Sequence, residues 1–134
     1  MHKVFISGSI SIKKLDTQAI THLDSIMANK HTVLIGDAFG IDKAVQQYLF
    51  QHDYQSVIVY YSGDKIRNNI SHWQTKQIPN ENHLTGKSLY QLKDVAMAHD
   101  SDYGLMIWDG KSSGTKYNME NMTKLGKPFT VIEN

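Results

Sequence analysis

The chain has 134 residues, of which 40% are hydrophobic and 20% are charged, and its formal net charge is +1. These proportions are typical of a globular protein, and we expect one domain spanning residues 1–134. The near-neutral charge argues against a general polyanion binder, and the absence of cysteine excludes disulfides and thiolate chemistry. No apolar run approaches the roughly 18 residues that a membrane span needs, which favours a cytoplasmic protein without a membrane partner.

Short apolar runs predict five strands, separated by segments whose apolar residues recur every three or four positions and therefore predict helices. The predicted strands cover residues 4–6, 32–35, 57–60, 103–108 and 129–132. The resulting order, β-α-β-α-β-loop-α-β-α-β, predicts an α/β fold with right-handed crossovers. We expect a Rossmann-like, doubly wound, mainly parallel five-stranded sheet of order 3-2-1-4-5 with helices on both faces.

Residues 61–88 break this alternation and predict a long loop. Connections of this length are uncommon in compact domains unless they are disordered or functional, and a functional loop is favoured by its aromatic residue and its arginine. Arg67, next to Asn68, is the only arginine beside thirteen lysines. It suits a bidentate contact with a phosphate or a carboxylate, although a solvated loop residue is the alternative. Trp73 either stacks on a base or pins the loop to the core.

Three turns rich in small residues follow the first, second and fourth predicted strands, which meet at the switch point of a doubly wound sheet. Backbone N–H groups and hydroxyls in such turns can cradle a phosphate, although glycine and serine also favour ordinary βα turns. The predicted binding residues in them are Gly8, Ser9, Gly36, Asp37, Ala38, Gly40, Asp42, Asp109, Gly110, Ser112, Ser113, Gly114 and Thr115.

Three carboxylates in these turns are candidates for chemistry. Asp37, Asp42 and Asp109 each follow the carboxyl end of a strand, where one of them could hold a pair of ribose hydroxyls or act as a general base. Asp37 and Asp109 are the predicted catalytic residues. For Asp42 the alternative is structural, because an acid in the first turn of a helix suits the helix dipole.

Other charged residues carry weaker predictions. Lys93 and Asp94 lie in a predicted helix and either reach into the cleft or, the favoured interpretation, form an exposed ion pair. The seven histidines are scattered without metal-ligand spacing, so we predict no metal site and assign no cofactor.

The three turns resemble motifs of the SLOG superfamily, which unites the DNA-processing protein A domain with the LONELY GUY phosphoribohydrolases and is related to nucleoside 2-deoxyribosyltransferase-like domains. Residues 5–9 (FISGS) resemble its first-strand "GS" motif, and residues 36–42 (GDAFGID) are similar to the "G-x-A-x-G-I-D" segment of the DNA-processing branch. Residues 109–115 (DGKSSGT) occupy the place of its glycine-rich "GG-x-GT" motif. The resemblance implies a nucleotide-type ligand and, as in relatives that pair through helices flanking the cleft, a homodimer or larger homo-oligomer.

One position departs from this pattern. The hydrolases and transferases of the superfamily carry a glutamate three residues after the Gly-Thr pair, where this chain has Asn118. An amide cannot replace a carboxylate as nucleophile or charge stabiliser in N-glycosidic cleavage. Glu120 lies about 200° further round the helix and should point elsewhere.

Three functions follow from the sequence. The preferred one is binding of a nucleotide or nucleotide-derived ligand at the carboxyl ends of the strands, as a sensor or a weak hydrolase. The first alternative is an N-glycosidic-bond hydrolase or transferase. The second is nucleic-acid binding of the DNA-processing protein A type, against which the near-neutral charge counts, since single-strand binding normally uses a positive groove with stacking aromatics.

Overall fold

The computed structural model describes residues 2–134 and contains a parallel sheet flanked by four helices. The strands are β1 (Lys3–Gly8), β2 (Thr32–Gly36), β3 (Val57–Ser62), β4 (Gln74–Ile78), β5 (Tyr103–Trp108) and β6 (Phe129–Glu133). The helices are α1 (Thr17–Ala28), α2 (Ile41–Gln51), α3 (Gly86–Asp100) and α4 (Ser113–Lys124). The strand order is β4-β3-β2-β1-β5-β6, and every neighbouring pair is parallel.

The predicted Rossmann-like α/β class is confirmed, and the five predicted strands occupy the predicted relative order. The sheet has six strands rather than five, because β4 pairs with β3 at one edge. This strand lies inside the predicted loop at residues 61–88, and α3 also begins there, at Gly86. Four of the five β4 side chains are exposed, so its sequence lacks the apolar run that marks the buried strands.

Both faces of the sheet are covered, which explains why the inner strands are almost continuously apolar. Side chains alternate between the faces along each strand. On one face Val4 and Ile6 of β1 pack in the same cluster as Leu23 of α1 and Val45 of α2. On the other face Phe5 packs with buried residues of α3 and α4. The crossovers therefore reverse direction beside β1, and the turns after β1, β2 and β5 meet at one edge of the sheet.

The segment between β3 and β4 is fixed to the body of the protein by one buried side chain. Gln46 in α2 donates from Nε2 to the carbonyls of Gly36 (3.0 Å) and Asn68 (3.1 Å), and its Oε1 accepts from the N–H of Ile70 (3.0 Å). Trp73 is buried in the core beneath this segment. Of the two interpretations of Trp73, the structure supports the one in which it pins the segment to the core.

Candidate functional site

A cavity of about 440 Å³ opens at the carboxyl ends of β1, β2 and β5, within the range typical of small-ligand sites. It also receives side chains from α3 and α4. Most of the predicted binding residues line it, namely Gly8, Ser9, Ala38, Asp42, Arg67, Asp109, Ser112, Ser113, Gly114 and Thr115. The three turns predicted to share one site are therefore brought together.

Five predicted binding residues do not line the cavity. Asp37 and Asn68 point into the protein, where the Asn68 amide donates to the carbonyl of Asp37 (2.8 Å). Gly36, Gly40 and Gly110 leave space that other parts of the chain fill, since a Cβ at any of them would approach those atoms to 2.4–2.6 Å. These three glycines therefore allow other parts of the chain to pack closely against the turns, rather than making room for a ligand.

Gly8 and Gly40 let the first two turns approach each other. A Cβ on Gly8 would lie 2.3 Å from the Ile41 side chain at the start of α2. A Cβ on Gly40 would lie 2.4 Å from the carbonyl oxygen of Ile10, and Gly40 has a φ of 74°. Gly114 differs, because nothing lies within 4 Å of its added Cβ. Among these three, only Gly114 leaves open space beside the cavity.

Asp37 and Arg67 form an internal ion pair. The guanidinium of Arg67 approaches both carboxylate oxygens, at 2.8 Å from Nη2 and 3.3 Å from Nε, and the backbone N–H of Arg67 donates to Oδ2 at 2.8 Å. The Asp37 side chain is 2% exposed, and the Arg67 guanidinium carbon lies 4.0 Å from the ring centroid of Tyr90. Arg67 thus makes a bidentate contact with a carboxylate of its own chain. A catalytic role for Asp37 stays a prediction, and its carboxylate is already engaged.

Asp109 organises the turn after β5. Its carboxylate accepts from the Ser11 hydroxyl (2.7 Å) and from the N–H groups of Lys111 (2.8 Å) and Ser112 (2.7 Å). The Ser11 hydroxyl and these backbone donors hold the pKa of Asp109 well below its usual range. Ser9 links this turn to the first one, because its hydroxyl lies 2.7 Å from that of Ser112 and accepts from the N–H of Asp109. Catalysis by Asp109 stays a prediction; in the structure it is a hydrogen-bonded anion.

The start of α4 is the part of the cavity wall best suited to bind an anion. The Ser112 hydroxyl gives α4 no side-chain cap, and Lys116 is the first residue whose N–H reaches the Ser112 carbonyl, at 3.4 Å. The preceding N–H groups, those of Ser113, Gly114 and Thr115, therefore lack a helical acceptor and carry the positive end of the helix dipole. Lys87 of α3 donates to the Ser113 hydroxyl at 2.8 Å and adds a cation at the same point.

Asn118, one turn further along α4, lines the cavity and has one buried, unpaired side-chain atom. The side chain is 3% exposed, and its Nδ2 donates to the Ser7 hydroxyl at 2.7 Å. Its Oδ1 has no hydrogen-bond partner within residues 2–134. Rotating the amide by 180° would exchange the two ends and still leave one unpaired. A buried polar group in this state costs about 1–3 kcal/mol.

Asp42 and Lys93 are buried next to each other, an arrangement that sequence reasoning recognised only in part. Gly36 makes room for both, because a Cβ there would lie 2.5 Å from Asp42 Oδ2 and 3.1 Å from Lys93 Cε. Desolvation raises the pKa of Asp42 to about 7, although the Lys93 charge lowers it. Burial acts to lower the pKa of Lys93, but the Asp94 and Asp42 charges outweigh it and leave that pKa raised.

The expected exposed ion pair between Lys93 and Asp94 is therefore wrong in one respect. Lys93 Nζ does lie 3.0 Å from Asp94 Oδ1, but the Lys93 side chain is only 5% exposed and lines the cavity. The polar sequence around Lys93 gave no sign of burial, because Asp42, the residue buried next to it, is 51 positions earlier in the chain.

Comparison with known proteins identifies the fold. No protein-family model and no curated protein matches the chain. The solved structure of DNA processing protein A from Helicobacter pylori superposes with a TM-score of 0.72 at 19% sequence identity, covering 99% of this chain and 66% of that one. The chain has the fold of DNA-processing protein A. The resemblance inferred from the three turns is thus confirmed for the fold, and the chain spans about two thirds of that relative's length.

The sequence also predicted neither a membrane-spanning segment nor a metal site. None of the helices in residues 2–134 has the length and apolar character that a membrane crossing requires. Over the same residues, no three histidine or acidic side chains are grouped so that they could hold a metal ion. Pairing into a homo-oligomer stays a prediction.

Proposed function

We propose that the cavity binds a nucleotide or a nucleotide-derived ligand, with an anionic phosphate at the start of α4. The observation that carries this proposal is a group of free N–H donors beside a lysine in one wall. The first N–H groups of α4 have no helical acceptor, and the Lys87 ammonium lies beside them at the Ser113 hydroxyl. A phosphate ester would accept from these N–H groups and pair with the ammonium.

The rest of the cavity suits the remainder of such a ligand. Ile10 and Tyr90 line it with apolar and aromatic surface, and they are 59% and 39% exposed. Pockets that combine apolar walls with a few placed polar groups are typical of small-ligand sites.

Binding is better supported than cleavage. Asn118 is neutral at every pH, and Asp37 is paired with Arg67. Asp109 accepts from two N–H groups of its own turn and from the Ser11 hydroxyl. Of the three candidate carboxylates, this leaves Asp42 for N-glycosidic cleavage, and its side chain is buried against Gly36. These contacts favour a sensor or binding protein over a hydrolase.

Replacing Lys87 with glutamine is expected to weaken binding of nucleoside monophosphates about tenfold or more, because a charge-assisted hydrogen bond is worth about 1.5–3 kcal/mol. Isothermal titration calorimetry with a panel of nucleoside monophosphates measures the effect. Lys124→Gln, an exposed lysine in the last turn of α4, is the matched control and should leave affinity unchanged. Equal affinities for both variants, or no binding by the unmodified protein, would contradict the proposal.

Single-stranded DNA is a second candidate, favoured by the fold and by a groove outside the cavity. The structural relative from H. pylori is described as binding single-stranded DNA. In this chain a groove of about 240 Å³ is lined by Lys13, Phe39, Gly40, Lys43, Ala44 and Gln47, without an acidic residue. Phe39 is 50% exposed, and Lys43 Nζ lies 5.9 Å from its ring centroid. An exposed ring beside lysines suits base stacking with phosphate contacts.

Phe39→Ala is expected to weaken binding of a single-stranded oligonucleotide by roughly 5- to 150-fold, since stacking of one base on an aromatic ring contributes about 1–3 kcal/mol. Fluorescence anisotropy with a labelled oligothymidylate at low salt measures it. Phe50→Ala is the matched control, because Phe50 is 49% exposed at the other end of α2. If both variants bind like the unmodified protein, the groove is not the binding surface.

A further inference from the structure

The carboxylate of Asp42 is deeply buried but has few hydrogen-bond partners. It is 7% exposed, lines the cavity, and accepts one hydrogen bond, from the N–H of Ala38 at 3.2 Å. Within residues 2–134 no lysine or arginine nitrogen forms an ion pair with it. Burying a carboxylate is costly unless hydrogen bonds or a paired charge compensate. A carboxylate with spare acceptor capacity at a cavity wall therefore suits a ligand that brings N–H donors.

Lys93 places a donor beside this acceptor. Its ammonium donates to the Tyr90 carbonyl (3.3 Å) and to Asp94 (3.0 Å), which uses two of its three N–H groups. Lys93 and Asp42 both lie against the Cα of Gly36, so they are neighbours on the cavity wall. The wall thus offers a carboxylate with room for two donors next to an ammonium with room for one acceptor.

We infer that Asp42 and Lys93 recognise the edge of a heterocycle that carries two adjacent N–H donors beside a carbonyl oxygen, of which guanine is the natural example. The carboxylate would accept from N1–H and N2–H, and the ammonium would donate to O6. Adenine and cytosine present a different order of donors and acceptors, and uracil presents one N–H between two carbonyls. This inference rests on the proposed nucleotide site, whose phosphate would bind at the start of α4 across the cavity.

The pH dependence of binding follows from the charges that surround Asp42. Lys93 and Asp94 face it from α3, and the Asp37–Arg67 pair lies behind the same turn. Guanine needs the ionised carboxylate, because only that form accepts two hydrogen bonds without donating one. Since the pKa of Asp42 is raised to about 7, the preference for guanine should grow as pH rises from 6 to 8.

The test compares matched ligands on the unmodified protein by calorimetry at pH 8. Guanosine monophosphate should bind about 5- to 150-fold more tightly than inosine monophosphate, which lacks only the N2 amine, and than adenosine monophosphate. Xanthosine monophosphate, with a carbonyl in place of that amine, should also bind less tightly. Asp42→Asn should remove the preference, and Asp64→Asn, an exposed control, should keep it.

The outcomes separate the two proposals. Equal affinities for the four nucleotides would overturn the guanine inference and leave the nucleotide site standing. Failure of all four to bind would overturn both. Because the ligand series uses the unmodified protein, this result does not depend on the folding of the Asp42→Asn variant, and persistence of the preference in a folded variant would also overturn the inference.

Discussion

Substitution of Gly40 by alanine is expected to lower the free energy of unfolding by about 3 kcal/mol or more. Gly40 precedes α2 with φ 74° and ψ −128°, a backbone conformation that costs an L-residue about 1–3 kcal/mol. Its Cβ would also lie 2.4 Å from the carbonyl oxygen and 2.5 Å from the Cα of Ile10, which are backbone atoms that cannot rotate away. Relief would require the turn after β1 to separate from the start of α2.

Urea denaturation followed by circular dichroism measures this loss. Gly114→Ala is the matched control, because nothing lies within 4 Å of its added Cβ and alanine is the better helix former. We expect that variant to be as stable as the unmodified protein or more stable by up to about 1 kcal/mol. Equal stabilities of the two variants would show that the contact between Gly40 and Ile10 is not a constraint on the fold.

We expect the contribution of Asp42 to the free energy of unfolding to fall as pH rises from 4 to 7. The Asp42→Asn variant should not show this decrease. The pKa of Asp42 rises from 3.8 to about 7 on folding, chiefly because burial disfavours the charged form. Between these values the folded protein binds a proton that the unfolded chain does not. The stabilisation is therefore fully present below pH 4, declines as pH rises through 7, and is absent above that.

A shift of this size corresponds to about 4 kcal/mol, at roughly 1.4 kcal/mol for each pKa unit. Asparagine has nearly the same shape as the protonated carboxyl and does not titrate, so the variant should be the more stable protein at pH 8. Urea melts of both proteins from pH 4.5 to pH 8 measure the difference, with Asp64→Asn as the exposed control. If the stability difference between Asp42→Asn and the unmodified protein does not change with pH, Asp42 does not titrate as inferred.

The sheet was predictable because buried parallel strands have a strong sequence signal. Apolar runs such as the one at 33–35 are typical of strands buried between two layers of helices, and the alternation of elements limits the strand order to a few doubly wound arrangements. β4 gave no such signal. Residues 74–77 are all exposed, and the backbone pairing of this strand with β3 leaves no trace in the side-chain pattern. Its side-chain contacts, such as that of Lys76 with Asp100, join residues that are distant in the sequence.

The position of the cavity was predictable, but the contacts of the residues around it were not. Turn glycines and serines indicated the edge of the sheet at which the cavity lies. Glycine in a sequence does not, however, reveal what fills the space beside it. At Gly40 that space holds Ile10, and at Gly36 it holds Asp42 and Lys93. Both the burial of Lys93 and the unpaired end of Asn118 depend on distant segments, so no local pattern could indicate them.

The three hydrogen bonds of Gln46 have a consequence for the thermodynamics of recognition. They fix the segment that carries Arg67 to α2 and to the end of β2 in the free protein. The conformational entropy of that segment is therefore lost when the chain folds, not when a ligand arrives. Preorganisation of this kind improves affinity and leaves the association rate free of a slow ordering step, so we expect this side of the cavity to act as a rigid template for any ligand that binds there.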